Sequence, residues 1–313
     1  MIANTPNFII IGAGKSGTTS LYEYLLEHPE VYMSPVKETN FFALEGEKLK
    51  DAKDDPDQMH HYPWSITEWS DYEDLFKGVT TEKAVGEVSP MYLYSEKAAV
   101  NIKRKLPNVK LIAILRNPVD RLYSRYMHLV RENRQPTNNF EDALKRETIW
   151  WRRNDLVQEG FYYSHLKKYY DLFDESQISV YFYEDFRSNP QRVIKDIYRF
   201  IGVDDTFLPD FSTEYNVSGK IKNQAFDKLI GQQSVLKSTL SKMSPQLVRW
   251  VQSQSSIKKW VNKFRKMNLE KAPLSESTRE KLIKQVYQSE IKALQQLVGR
   301  DLTNWLTIKN QLS

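Results

Sequence analysis

The sequence predicts an α/β fold of the P-loop type: three layers around a central, mostly parallel sheet, with a helical C-terminal portion. Short apolar runs alternate with stretches of helical spacing, the pattern of successive βαβ units. The first run empties directly into a glycine-rich turn that opens a helix. Beyond residue 211 no run of strand character follows, so helices are expected there. The chain is read as a single domain, an α/β core over 1–211 followed by a basic loop and helices over 212–313.

Each element has its own signal. Residues 8–12 form the first strand, and Leu21, Leu25 and the tyrosines between them give a helix that ends before His28-Pro29. Residues 31–34 make a short second strand. The polar excursion 45–74, which carries Trp64 and Trp69, reads as a long surface loop. A third strand over 85–89 is closed by Pro90, and a helix runs from there to about Leu106. Residues 109–115, VKLIAIL, are the clearest buried strand, and the turn Arg116-Asn117-Pro118 opens a helix with Arg121, Ser124 and Arg125. Helical spacing recurs over 140–151 and 162–173, and 178–183 is a fifth strand. Asn189-Pro190 starts a helix that reaches Ile201, with Gly202 as its C-terminal stop. The polar segment NVSGKIKN, 216–223, is a loop, and helices are expected at 224–240, 245–264 and 275–298.

Composition narrows the function classes. With 313 residues and 40% apolar content the chain can bury a sizeable core. There is no cysteine, and the five histidines offer only His60-His61 as a neighbouring pair, so no structural metal is expected. No charged leader and no run of about 18 apolar residues is seen, which makes a cytoplasmic location the expectation. The net charge of +5 is unevenly spread: 237–271 holds nine basic residues and one acid, Glu270. That stretch suits an acidic polymer, peripheral contact with a membrane surface, or solvent alone; no motif for nucleic acid accompanies it.

The chemistry begins at FIIIGAGKSGTTSL, residues 8–21. A glycine-rich turn after a strand, with a lysine inside it and hydroxyls opening a helix, is a site for a phosphate-like anion. Gly12 and Gly17 keep the spacing of a nucleoside-triphosphate loop, yet Thr18 stands where that loop has its lysine, and the lysine has moved upstream to Lys15. The competing reading is an ordinary turn that favours glycine.

Three segments, KSGTTSL from Lys15, LRNPVDRLYSRY from Leu115 and FYEDFRSNPQRVIKDIYRFIGV from Phe182, together resemble the sulfotransferases that use 3′-phosphoadenosine 5′-phosphosulfate (PAPS). The tail from Leu274 to Leu306 resembles bacterial members. KETNFF after the second strand makes the layout more similar to the carbohydrate-modifying and bacterial branch than to the cytosolic phenol and steroid branch. The resemblance implies PAPS as co-substrate, held by Lys15, Ser16, Gly17, Thr18, Thr19 and Ser20 at one anion site and by Arg116 with Ser124 at another. It implies an adenine contact from Tyr183 and a later clasp from Lys220. It also implies Glu38 as the base that takes the acceptor's proton, with Lys15 stabilising the leaving group. The acceptor is then a hydroxyl or amine, on a carbohydrate or glycolipid first, flanked by 45–74 and the C-terminal helices. No metal is implied.

Plainer readings stand beside these. Arg116 is otherwise a surface ion pair, Ser124 an ordinary helix serine, Tyr183 a core aromatic, Lys220 a loop lysine, and Glu38 an exposed carboxylate paired with Lys37. The chain departs from the family's pattern at Val88, where carbohydrate enzymes often carry a lysine; that cation either comes from elsewhere, with Lys37 a candidate, or is dispensed with. With no histidine base evident, Glu87 is the second choice after Glu38. Two rival functions remain open: a P-loop kinase or NTPase using Glu184-Asp185 for magnesium, and a non-enzymatic binder of acidic polymers acting through 237–271.

Overall fold

The computed structural model describes residues 5–49, 64–132, 134–212, 220–221, 269–270 and 273–307. Strands β1 (Phe8–Gly12), β2 (Val31–Met33), β3 (Ala84–Val88), β4 (Lys110–Leu115) and β5 (Ile178–Phe182) form one sheet in the order β2-β3-β1-β4-β5. Every pairing in it is parallel. These are the strands read from the sequence, with ends shifted by a residue or so. Phe8, Ile9, Ile10 and Ile11 of β1 and Leu111 to Leu115 of β4 have no solvent exposure. Strands covered on both faces need apolar side chains at successive positions, which is why they appear in the sequence as unbroken runs.

The first crossover leaves β1 in one direction and the later ones in the other. Right-handed connections therefore put helices on both faces and open a crevice at the carboxyl end of β1. Helix α1 (Thr18–Leu26) follows β1 directly. Short α2 (Phe41–Leu44) and α3 (Trp69–Asp74) lie between β2 and β3, while α4 (Met91–Tyr94) and α5 (Ala98–Lys105) lead to β4. Helix α6 (Pro118–Arg131) follows β4, and α7 (Ile149–Arg152) and α8 (Tyr162–Tyr170) precede β5. After α9 (Tyr183–Ser188), α10 (Pro190–Ile201) begins as its sequence demands: Asn189 Oδ1 accepts the Arg192 N–H at 3.0 Å, Pro190 takes the first turn, and Gly202 closes the helix at φ 87°. Near the C-terminus, α11 (Glu276–Leu282) and α12 (Gln288–Val298) are joined by a π turn at Ile283–Tyr287, from which the Tyr287 hydroxyl donates to Val157 O at 2.9 Å.

Some expectations need correction. The stretch 45–74 is not surface loop to its end, because α3 is helical and packs inward. Tyr72 is fully buried, stacked 4.7 Å from Phe41 and 5.5 Å from Trp69. The helix expected from Pro90 to Leu106 is two, since the Ser95 Oγ accepts the N–H groups of Lys97 and Ala98, both at 3.2 Å, and starts a new helix. Residues 140–151 give only a 3₁₀ turn, Phe140–Leu144, and α7; between them the Thr148 hydroxyl donates to Asp142 O at 3.1 Å and to Lys145 O at 2.7 Å.

Strands also do not end at 211. Lys220–Ile221 (β6) and Leu269–Glu270 (β7) pair antiparallel. The helices expected at 224–240 and 245–264, and nearly all of the basic stretch 237–271, lie outside the described residues. The sheet belongs to one compact unit drawn from the residues up to Arg125, Pro136–Phe211 and those from Leu274 on; Tyr126–Gln135 and the described residues from Ser212 to Pro273 form a second.

Candidate active site

The turn after β1 is built to face its backbone N–H groups toward an anion. Lys15 has φ 65° and Gly17 φ 95°, left-handed geometries that alternate with ordinary ones and curl the backbone into a concave nest. Gly17 caps α1 without any side-chain hydrogen bond. The N–H groups of Thr18, Thr19 and Ser20 are thus left at the positive end of a nine-residue helix. Ser16 lies in the middle of the nest, fully buried, and its Oγ has no hydrogen-bond partner. An orphaned buried hydroxyl at a helix N-terminus fits a ligand oxygen.

Arg116 comes to this turn from the end of β4. It is buried rather than a surface ion pair, and its Nη1 donates to Lys15 O at 3.2 Å. Its guanidinium lies 4.8 Å from the centre of the Tyr183 ring. Tyr183 is half-buried at the start of α9 and not a core residue; a Cβ at Gly17 would stand 3.2 Å from its Cδ2. Lys15, Gly17, Arg116 and Tyr183 are therefore neighbours, although they come from three separate segments. Ser124 is buried on α6. Lys220 belongs to the second unit, and its side chain lies outside the described residues.

The nest also has a support that sequence reading missed. Glu159 is buried behind it, and its Oε1 accepts the Gly14 N–H at 2.7 Å while its Oε2 accepts from Arg121 Nη1 at 2.8 Å. Arg121 has no exposure and donates also to the carbonyls of Asp155, at 3.2 Å, and Leu156. Asp155 in turn pairs with Arg125 and Arg153, and these two cations hold its carboxyl well below the usual carboxylate range. Glu159 is pushed up to about 7, because burial outweighs the attraction of Arg121. Gly14 leaves room for this contact: a Cβ there would sit 2.8 Å from Glu159 Oε1. Arg121 is visible in the sequence as a helix cation, but Glu159, thirty-eight residues on, carries no local signature.

The loop after β2 reaches the same carboxyl edge. The Ser89 N–H donates to Ile10 O at 3.1 Å, which joins β3 to β1, and the Glu38 N–H donates to Val88 O at 2.8 Å. Glu38 has φ 63°, and its carboxylate, 23% exposed, pairs with the Lys37 ammonium. The ion pair of the plainer reading is present but the carboxylate is half-buried rather than exposed, and the pair sets a cation and a carboxylate together beside buried Val88. Glu87, the second choice as base, is enclosed by hydroxyl groups. It is fully buried, with Oε1 accepting from Tyr72 at 3.0 Å and Tyr92 at 2.7 Å, and Oε2 from Thr39 at 3.2 Å and Ser89 at 2.7 Å. Burial raises its carboxyl above the ordinary value despite these donors.

A family model described as a sulfotransferase domain matches residues 5–295. The chain belongs to the sulfotransferase family. Among solved structures, a sulfotransferase from Alicyclobacillus acidocaldarius is 28% identical and superposes over 97% of this chain and 99% of its own, with a TM-score of 0.67. A bifunctional heparan sulfate N-deacetylase/N-sulfotransferase 4 of Mus musculus is 29% identical over 213 residues, 63% of this chain and 22% of its own length. Carbohydrate sulfotransferase 15 of Homo sapiens is 26% identical over 255 residues, 63% of this chain and 44% of its own. The chain thus spans about a fifth of the heparan sulfate enzyme and under half of the other.

As a sulfotransferase the chain is an enzyme of sulfuryl transfer, and the kinase reading is set aside. Of the two carboxylates that reading used, Asp185 pairs with Arg300 at 3.0 Å and Arg192 at 3.6 Å, while Glu184 Oε1 accepts the Asn117 N–H at 3.1 Å and its Oε2 is buried without a hydrogen-bond partner. Among the described residues no group of histidines and carboxylates has metal-binding geometry, and no helix is long and apolar enough to cross a membrane.

Proposed function

We propose that this sulfotransferase moves a sulfuryl group from PAPS to a hydroxyl or amine on a carbohydrate or glycolipid, with Lys15 and Glu38 as catalytic residues. The nest carries the reading: a concave backbone, a helix N-terminus and the unpartnered Ser16 hydroxyl, backed by Arg116 and Tyr183. PAPS bears roughly four negative charges, and a single anion site would leave its 3′-phosphate unmatched. The 5′ end fits residues 15–20. Arg116, with Ser124 on the helix that begins just after it, suits the 3′-phosphate, and Tyr183 offers a ring face to adenine.

Transfer forms a bond between the acceptor oxygen or nitrogen and sulfur and breaks the bond from sulfur to the 5′-phosphate oxygen. Glu38 accepts the proton that the acceptor loses. Lys15 and the N–H groups around it meet the charge that grows on the departing phosphate. Lys37, paired with Glu38, supplies a cation where Val88 cannot. The names of the heparan sulfate and carbohydrate relatives support a sugar acceptor. The test is transfer from radiolabelled PAPS to desulfated polysaccharides, beside calorimetric titration of 3′-phosphoadenosine 5′-phosphate. Saturable heat and labelled sugar are expected; an absence of heat with folded protein overturns the reading.

A further inference from the structure

Of the five large apolar side chains most exposed among the described residues, four are aliphatic and one is aromatic: Trp64, at 52%. Scattered exposed apolar residues are normal and need no explanation. Trp64 differs because its ring is fixed in place. Its Nε1 donates to Lys37 O at 3.1 Å, and the next peptide N–H, that of Glu38, donates to Val88 O at 2.8 Å. The peptide group joining Lys37 to Glu38 is therefore gripped from both sides, by Trp64 and by β3. Two more rungs hold the following residues: Asn40 Nδ2 to Ser65 Oγ at 3.1 Å, and Ile66 N–H to Thr39 O at 2.8 Å. An indole spends its one donor on this peptide and keeps half its surface in solvent beside the Glu38 backbone.

On the reading of Glu38 as the acceptor's base, we propose that Trp64 is the stacking platform for a pyranose ring of the acceptor and a determinant of specificity for sugars over acyclic alcohols and amines. A pyranose turns a face of axial C–H groups, made slightly positive by the ring oxygens, toward the negative face of an aromatic ring. A platform anchored one peptide from the base sets the distance between the stacked ring and the carboxylate. The half-exposed, oriented indole is suited to that task, whereas an aliphatic side chain offers no such face.

The experiment compares Trp64→Ala and Trp64→Phe with the parent chain on a desulfated glycosaminoglycan oligosaccharide and on an acyclic amino alcohol. Quenching of intrinsic fluorescence by the oligosaccharide is read without PAPS. Trp64→Ala is expected to raise KM for the oligosaccharide about tenfold more than KM for the acyclic acceptor, with affinity for 3′-phosphoadenosine 5′-phosphate unchanged, and to abolish the quench; any loss of kcat from the loosened Glu38 peptide falls on both acceptors alike. Trp64→Phe, which keeps an aromatic face but lacks the Nε1–H anchor, should restore part of the loss in KM. If Trp64→Ala lowers kcat equally on both acceptors with no selective rise in KM for the sugar, the indole only steadies the Glu38 peptide and the platform is overturned. A Trp64-dependent quench without any transfer from PAPS keeps the platform and refutes the proposed donor. Absence of any quench in the parent chain counts against the platform even if transfer succeeds.

Discussion

Glu87 and Glu159 are both buried carboxylates standing behind the site, and they are satisfied in opposite ways. Glu159 faces a buried arginine and a backbone N–H of the anion nest. Glu87 faces four neutral hydroxyls beneath the loop of Glu38, with Ser89 and Tyr92 also accepting the N–H groups of Asn40 and Phe42 at 3.1 and 3.4 Å. The side proposed for the anionic donor is braced by charge, and the side proposed for the acceptor by hydroxyls. Rigidity can be had from either, but a lost partner matters far more where a bare charge is left behind.

The largest losses are expected in front of each brace. Glu38→Gln should lower kcat by roughly 10²–10⁴ while 3′-phosphoadenosine 5′-phosphate still binds, measured by label transfer and calorimetry. Near-normal turnover would remove Glu38 as base. Lys15→Ala should cost about 10²–10³ in kcat on the donor side, with circular dichroism unchanged; activity close to the parent's would mean that the nest alone suffices. Behind the nest, Glu159→Ala leaves Arg121 buried without its carboxylate and should destabilise the fold by roughly 3–5 kcal/mol in urea unfolding. Glu87→Gln keeps an acceptor for the hydroxyls and should lose only about 1 kcal/mol, raising KM for acceptor more than for donor. Equal losses at Glu159 and Glu87 would dissolve the distinction between the braces.

Stability measured against pH separates the two braces further. Glu159 has its folded value raised from 4.5 to about 7, so between these limits the folded chain keeps a proton that the unfolded chain has released. The stability of the parent relative to Glu159→Gln should then fall as pH rises from 4.5 toward 7 and level off above it. Parallel stability curves for the two proteins would show that Arg121 cancels the effect of burial.

What the sequence revealed and what it concealed divide along the same physical line. β1 and β4 were legible because burial on both faces demands consecutive apolar residues, and α10 because Asn189, Pro190 and Gly202 each act locally. Lys15, Arg116 and Tyr183 could be nominated from their segments, and the fold brings them together. Glu159 could not, since a carboxylate ahead of a glycine has no pattern, and its meaning depends on Gly14 and Arg121 arriving from elsewhere. The inward packing of α3 was hidden for a related reason: Trp69 and Tyr72 stand in a polar stretch, and their shared aromatic neighbour Phe41 comes from the other side of it. Two-residue strands such as β6 and β7 are too short to leave any periodicity.

Lys15, Glu38 and Asn40 adopt left-handed backbone, with φ of 65°, 63° and 56°, where glycine would be at ease. A selection for thermostability alone would be free to place glycine at all of them, and at positions 15 and 38 it would silence the chemistry proposed for this enzyme. A library screened first for heat resistance and only afterwards for turnover should accordingly yield hardy, inert proteins enriched in glycine at these sites.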